Sequence, residues 1–242
     1  EKEFREIIRL KKVDFIVVVA YGKLIDDYII NSPKFLTINV HASLLPKWRG
    51  AAPIQRSILN GDRETGVCIM KVEKKLDAGP IIKQTKIKIK NTDDAGSIYK
   101  KIILKGKNLL IEAIKDIKCG DFNYIFQDEK KASYAQKIEK RESKINWDES
   151  AESIFLRVRA LNPYPGAWTF LKNKRLKILK AQVFEGFSEN RSASLNGSFD
   201  DQLVVKCKKG FLRVIELKPQ GKKKMTAKEF LNGYKNKEFL FK

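Results

Sequence analysis

Histidine is almost absent from this chain: His41 is the single one in 242 residues. A His-rich metal centre is thereby excluded, and any chemistry that needs a side chain titrating near neutrality falls on one imidazole. Cysteine is scarce as well. Cys68, Cys119 and Cys207 are odd in number, scattered and free of Cys-x-x-Cys spacing. That pattern argues against a disulfide framework or a zinc site and for reduced thiols in a cytoplasmic setting. No stretch approaches the ~18 consecutive apolar residues of a membrane span. The opening Glu1-Lys-Glu-Phe-Arg-Glu-Ile-Ile8 is charged throughout and lacks the apolar core of a signal peptide. Walker and Gly-x-Gly-x-x-Gly loops are missing, so ATP and dinucleotide binding have no sequence support. Acidic residues are also few, 29 against 50 basic ones, for a net charge of +21 spread along the chain. An excess of this size favours a polyanionic partner such as RNA, although a lysine-rich surface with no partner would carry the same charge.

What is present centres on Thr37-Ile-Asn-Val-His-Ala-Ser-Leu-Leu-Pro-Lys-Trp-Arg-Gly-Ala-Ala-Pro-Ile-Gln55. The β-branched run Phe35–His41 reads as a strand, and alternate residues of a strand share a face. Asn39 and His41 are therefore expected to point together at the strand's carboxyl end, where open α/β sheets place their ligands. Ser43-Leu-Leu-Pro46 leaves the sheet, because Pro46 cannot continue a central ladder. A helix is expected from Ala51 to about Leu59, with Pro53 in its first turn and Asn60-Gly61 after it. A lone histidine beside apolar residues is usually a structural one. The alignment with Asn39 favours function, as does Asp77, set on the turn-like Leu76-Asp-Ala-Gly-Pro80, where a carboxylate can fix an imidazole's tautomer.

The rest of the chain reads as two domains. Phe4 to Lys12 is the end of a helix with Phe4, Ile7, Ile8 and Leu10 on one side. Asp14–Ala20 reads as a strand buried on both faces, as in a parallel sheet. Tyr21-Gly22 breaks it, and a short helical turn runs to Ile30. Strands follow at 65–72 and 81–89, then a long helix opened by Thr92-Asp-Asp94 and running to Ile117, with Ile98, Ile102, Leu109 and Ile114 as its stripe and Cys119-Gly120 as its stop. This alternation is that of a doubly wound α/β sheet. Residues 121–140 are polar and weakly patterned, and read as a surface linker. From 141 on, Ser150 or Asp148 caps a helix carrying Ile154, Val158 and Leu161. Strands are expected at 167–171 and 176–184, then a hairpin over 203–217 turning at Lys209-Gly210. A capping box, Thr226-Ala-Lys-Glu229, opens a last helix, 227–232. Short strands with Gly and Asn/Asp turns suggest a small barrel. Trp48, Trp147 and Trp168 read as packing residues rather than a base-stacking platform, and Lys222-Lys-Lys224 as a solvated turn or an RNA contact.

The ordered set Asn39-x-His41-x-Ser-Leu-Leu-Pro46, Arg49-Gly-Ala-Ala-Pro-Ile-Gln55 and Leu76-Asp-Ala-Gly79 resembles the 10-formyltetrahydrofolate-dependent formyltransferases, most of all the branch acting on methionyl-tRNA. Arg159-Ala-Leu-Asn-Pro-Tyr-Pro-Gly-Ala-Trp168 and Lys218-Pro-Gln-Gly-Lys-Lys-Lys-Met-Thr-Ala227 extend the likeness over nearly the whole chain. The resemblance implies a Rossmann-like formyltransferase domain over 1–120, the linker 121–140 and an OB-like tRNA-binding domain over 141–242. It also implies a further strand, a glycine-containing loop and roughly 70 residues before Glu1. It implies Asn39, His41 and Asp77 as catalytic residues. Ser43, Leu44, Leu45, Pro46, Tyr21 and Gly22 then line the site for 10-formyltetrahydrofolate, with no metal. The partner is initiator methionyl-tRNA, with a monomer and no membrane contact expected. Two rivals stay open: a formyltransferase for a UDP-4-amino sugar, and a non-catalytic RNA-binding relic. A Ser43–His41–Asp77 serine triad is disfavoured, since no strained Gly-x-Ser-x-Gly turn accompanies it.

Overall fold

A computed structural model describes residues 2–186, 195–233 and 240–242. The chain divides into two compact units: 1–57, 62–91 and 97–137 form the first, and 58–61, 92–96 and 138–242 the second.

The first unit holds helix α1 (Lys2–Lys11), strand β1 (Phe15–Val19), helix α2 (Asp27–Ile30), β2 (Leu36–His41), β3 (Arg49–Gly50), all but the last two residues of α3 (Pro53–Leu59), β4 (Glu64–Lys71), β5 (Ile81–Lys88), all but the first two residues of α4 (Ala95–Cys119) and β6 (Tyr134–Ala135). Four strands form one sheet in the order β1-β2-β4-β5. β1 and β2 are parallel, whereas β4 runs antiparallel to both β2 and β5. The Rossmann-like reading therefore holds for β1 and β2, and the sheet is completed by a hairpin. A strand is buried on both faces only with cover on each, and among the described residues β1 pairs with β2 and no other strand. Val17 and Val19 are exposed, contrary to the fully buried strand expected. Of the apolar side expected for α1, Ile8 is buried and Ile7 and Leu10 are exposed, while the side chain of Phe4 lies outside the described part.

α4 covers the sheet through Ala113 and Ile117, which pack with Ile38, Ile69 and Ile82. Gly106 lets the helix approach closely: a Cβ there would lie 3.3 Å from a Val67 methyl. Gly120, at φ +73°, ends the helix as expected. Residues 121–137 fall inside the first unit rather than between units. Ile125 exchanges backbone hydrogen bonds with Ile81, and β6 pairs with β3. Pairs of one or two residues leave no periodic trace, which is why this stretch read as a linker.

The second unit contains α5 (Ala151–Leu161), β7 (Ala167–Leu171), β8 (Lys174–Phe184), β9 (Val204–Lys206), β10 (Phe211–Pro219), β11 (Met225–Thr226) and α6 (Ala227–Asn232). Ser150 caps α5 and the Thr226/Glu229 capping box opens α6. β7, β8 and β10 are consecutive antiparallel neighbours, and β9 pairs with β10 across the turn at Gly210. Single bridges Phe199–Val205, Ser198–Leu240 and Leu171–Phe241 carry the pairing from β9 back to β7, closing the ring. Trp147, Ile154, Leu161, Ile178, Leu212 and Phe241 belong to its core. The OB-like barrel expected for this half is thus a closed, mostly antiparallel sheet capped by helices.

Candidate active site

β2 delivers Asn39 and His41 to one face, and both meet the same carboxyl group. Asn39 Nδ2 donates to Asp77 Oδ1 at 3.2 Å, and His41 Nδ1 lies 3.7 Å from Asp77 Oδ2. The second distance exceeds a direct hydrogen bond and lies within ion-pair range once the ring is protonated. What holds the imidazole is a contact with no sequence signal: Nε2 sits 2.9 Å from the Trp48 carbonyl. A carbonyl only accepts, so Nε2 carries a hydrogen, and in the neutral ring Nδ1 is then the basic nitrogen, facing Asp77. The expectation that Asp77 sets the tautomer is corrected accordingly: Trp48 sets it, and Asp77 faces the nitrogen that can take a proton.

Asp77 is itself fixed. Its Oδ2 accepts from the Gly50 N–H at 2.8 Å, and its backbone adopts φ +46°, a left-handed conformation that Asp tolerates better than most residues. Gly50 has φ +116°, and a Cβ there would meet the Ala135 carbonyl oxygen at 2.9 Å. The position requires glycine.

Ser43–Pro46 leaves the end of β2 and seats on β4. The Leu45 N–H reaches Cys68 Sγ at 3.4 Å, and the Cys68 thiol donates to the Ser43 carbonyl at 3.0 Å. Leu45 packs with Cys68, Met70 and Ile81. Burial pushes the Cys68 thiol up to about 12, so it acts as a small apolar residue with a weak donor. Ser43 Oγ is fully buried and donates to the Lys47 carbonyl at 2.6 Å. That hydroxyl is spent inside the loop, which removes the serine-triad alternative. Tyr21 and Gly22 follow β1 at the same end of the sheet, since Val19 is level with Val40, but Tyr21 is exposed. Trp48 donates its indole N–H to Asp62 at 2.8 Å, Trp147 is buried in the barrel, and Trp168 carries the Arg175 guanidinium 3.9 Å above its ring.

Arg49 lies beside the trio and is fully buried. It donates to Gln127 Oε1 and, at 2.8 Å, to Glu129, which also takes Lys75 at 2.6 Å. The hydrogen bond from Arg49, followed by that from Lys75, holds the Glu129 carboxyl down at about 2 against its ordinary 4.5. A depressed carboxyl stabilises the fold above its unfolded value and loses that contribution as pH falls through the folded one. Glu129→Gln is therefore expected to be less stable than the parent at pH 7. In urea unfolding the gap should close between pH 4.5 and about 2; a gap independent of pH would show that the pairing does not contribute.

Residues 1–114 match the formyl transferase family and 137–235 match its C-terminal domain. The methionyl-tRNA formyltransferase of Dictyoglomus thermophilum is 45% identical over 238 residues, covering 96% of this chain and 76% of that protein. The chain belongs to the methionyl-tRNA formyltransferase family. Solved structures share the fold at lower identity. A family member, the methionyl-tRNA formyltransferase from Clostridium thermocellum, superposes with TM-score 0.61 at 22% identity, over 76% of this chain and 78% of that one. HypX from Aquifex aeolicus, in complex with tetrahydrofolic acid, superposes with TM-score 0.69 at 18% identity, over 94% of this chain and 40% of that one.

Proposed function

We propose that this protein transfers the formyl group of 10-formyltetrahydrofolate to the α-amine of initiator methionyl-tRNA, with Asn39, His41 and Asp77 around the reacting carbon. The observation that carries the reading is the shared carboxyl: Asp77 binds Asn39 and faces the free nitrogen of His41. Formyl transfer is acyl transfer. The amine nitrogen bonds to the formyl carbon, the carbonyl π pair moves onto oxygen, and the amine gives up a proton. Collapse of this tetrahedral species expels N10 of the folate, which recovers a proton. The step calls for donors at the oxyanion and a base for the proton. Asn39 supplies an amide N–H that can pass from Asp77 to the oxyanion. His41 Nδ1 takes the proton, and Asp77 stabilises the resulting imidazolium. Ser43–Pro46, with Tyr21 and Gly22, takes the folate at this end of the sheet. Residues from 141 onward, in a chain of net charge +21, supply cationic surface for the RNA.

The test is formyl transfer from labelled 10-formyltetrahydrofolate by the full-length protein, with methionyl-tRNA and a UDP-4-amino sugar competing as acceptors. Label on methionyl-tRNA is expected. Label on the sugar moves the protein to sugar formyltransferases, and label on neither leaves RNA binding without catalysis.

A further inference from the structure

Gln127 lies in the stretch whose sequence reads as a linker, yet it makes four hydrogen bonds in the first unit. Its Oε1 accepts from Arg49 Nε at 3.1 Å and Nη2 at 2.9 Å. Its Nε2 donates to the Asp77 carbonyl at 2.9 Å and the Gly79 carbonyl at 2.7 Å. The orientation of the amide is chemically determined. Arg49 offers only donors and the loop presents only acceptors, so a flipped amide would lose every bond. One side chain thus clamps the peptide planes after Asp77 and after Gly79 to a fully buried guanidinium.

The clamp acts where the loop is most constrained. Asp77 sits in the left-handed region, and a Cβ on Gly79 would lie 2.0 Å from the Lys71 carbonyl oxygen. Gln127 is also well placed to hold position itself, since Ile125, two residues earlier, exchanges both backbone hydrogen bonds with Ile81 just past the loop. We propose that Gln127 is a positioning residue for the transfer reaction: through the backbone of the 77–79 loop it sets where the Asp77 carboxylate stands relative to Asn39 and His41, and Arg49 orients its amide for that task. The inference rests on the reading that Asp77 works with His41 in formyl transfer. It adds that the geometry of the pair is imposed from Gln127, which touches neither reacting atom.

The informative variant is Gln127→Glu. It keeps the chain length and adds an ion pair with Arg49, while replacing two donors by an oxygen that faces two carbonyls. The ion pair with Arg49 offsets part of the loss of two donors, so the fold persists while Asp77 is released. Thermal unfolding should show Gln127→Glu folded at the assay temperature, with a midpoint below that of the parent. kcat should fall on the order of 10²-fold, the effect of displacing a catalytic group by about 1 Å. KM for 10-formyltetrahydrofolate and for methionyl-tRNA should stay within about twofold, the pattern of an interaction made in the transition state only. A double-mutant cycle supplies the readout that a purely structural role would not move. Gln127→Glu added to Asp77→Asn should cost no more than Asp77→Asn alone, because both act through one carboxylate. Full kcat in Gln127→Glu, or losses that simply multiply with those of Asp77→Asn, overturns the inference and leaves the reading of the site standing. Full kcat in Asp77→Asn overturns that reading itself, and the inference with it.

Discussion

His41→Ala is expected to lower kcat for formyl transfer by about 10²–10⁴-fold, the span associated with loss of a positioned acid–base group. The imidazole is buried at the end of β2, with Nε2 on the Trp48 carbonyl and Nδ1 turned to Asp77. Alanine removes the proton acceptor and also strips a carbonyl of its donor, so stability falls too, by about 1–3 kcal/mol. The two losses separate in His41→Gln, whose amide N–H can serve the Trp48 carbonyl without offering a titrating nitrogen. Its melting temperature should recover most of the difference while its rate stays near that of His41→Ala. A rate restored along with the melting temperature would make His41 a structural residue and remove the proposed proton acceptor.

The second large effect comes from a residue with no side chain. Gly66 lies on β4 beneath the Ser43–Pro46 loop, where a Cβ would stand 2.4 Å from Leu44 Cδ2 and 2.4 Å from the Thr85 carbonyl oxygen. The first contact could be relieved by turning a side chain; the second is with the backbone of the neighbouring strand and could not. Gly66→Ala should therefore lift the loop or part the β4–β5 ladder, at about 1–3 kcal/mol, the usual cost of overpacking. If the loop lines the folate site, KM for 10-formyltetrahydrofolate rises more than KM for methionyl-tRNA. Chemical denaturation together with both KM values checks this, and an unchanged midpoint would mean that the sheet absorbs the methyl group.

The difference between His41 and Gly66 mirrors what could be read in the chain and what could not. Asn39 and His41 were legible because two polar residues at i and i+2 in a β-branched run have one geometric meaning, and Asp77 because a carboxylate in a Leu-Asp-Ala-Gly turn stands out. Ser150, Thr226 and Gly120 marked helix ends through local hydrogen-bond chemistry, and local chemistry is what sequence encodes most directly. The supports of the site are of another kind. Trp48 acts through its carbonyl and Gly50 through its N–H, groups that every residue but proline has. Gln127 acts through a side chain, but in a stretch with no periodicity around it. The exposure of Val17 and Val19 was hidden for a further reason: a β-branched run reports strand propensity, whereas what covers a strand's faces is a property of the tertiary fold.

The short pairing of β3 with β6 sets a timetable for this protein. Arg49 meets Tyr134 and Gly50 meets Ala135 across a long loop, so the residues that hold Asp77 have high contact order although they cluster in space. On a ribosome adding about 5–20 residues per second, the chain waits several seconds after His41 is made before Gln127 and β6 exist. Until then Gly50 and Arg49 lack their partners on the later segment, while the β4–β5 hairpin can already pair. Pairing of β3 with β6 is therefore a late event of this unit during synthesis, and a nascent chain cut short before Gln127 would carry Asn39, His41 and Asp77 without the contacts that Arg49 makes to Gln127 and Glu129.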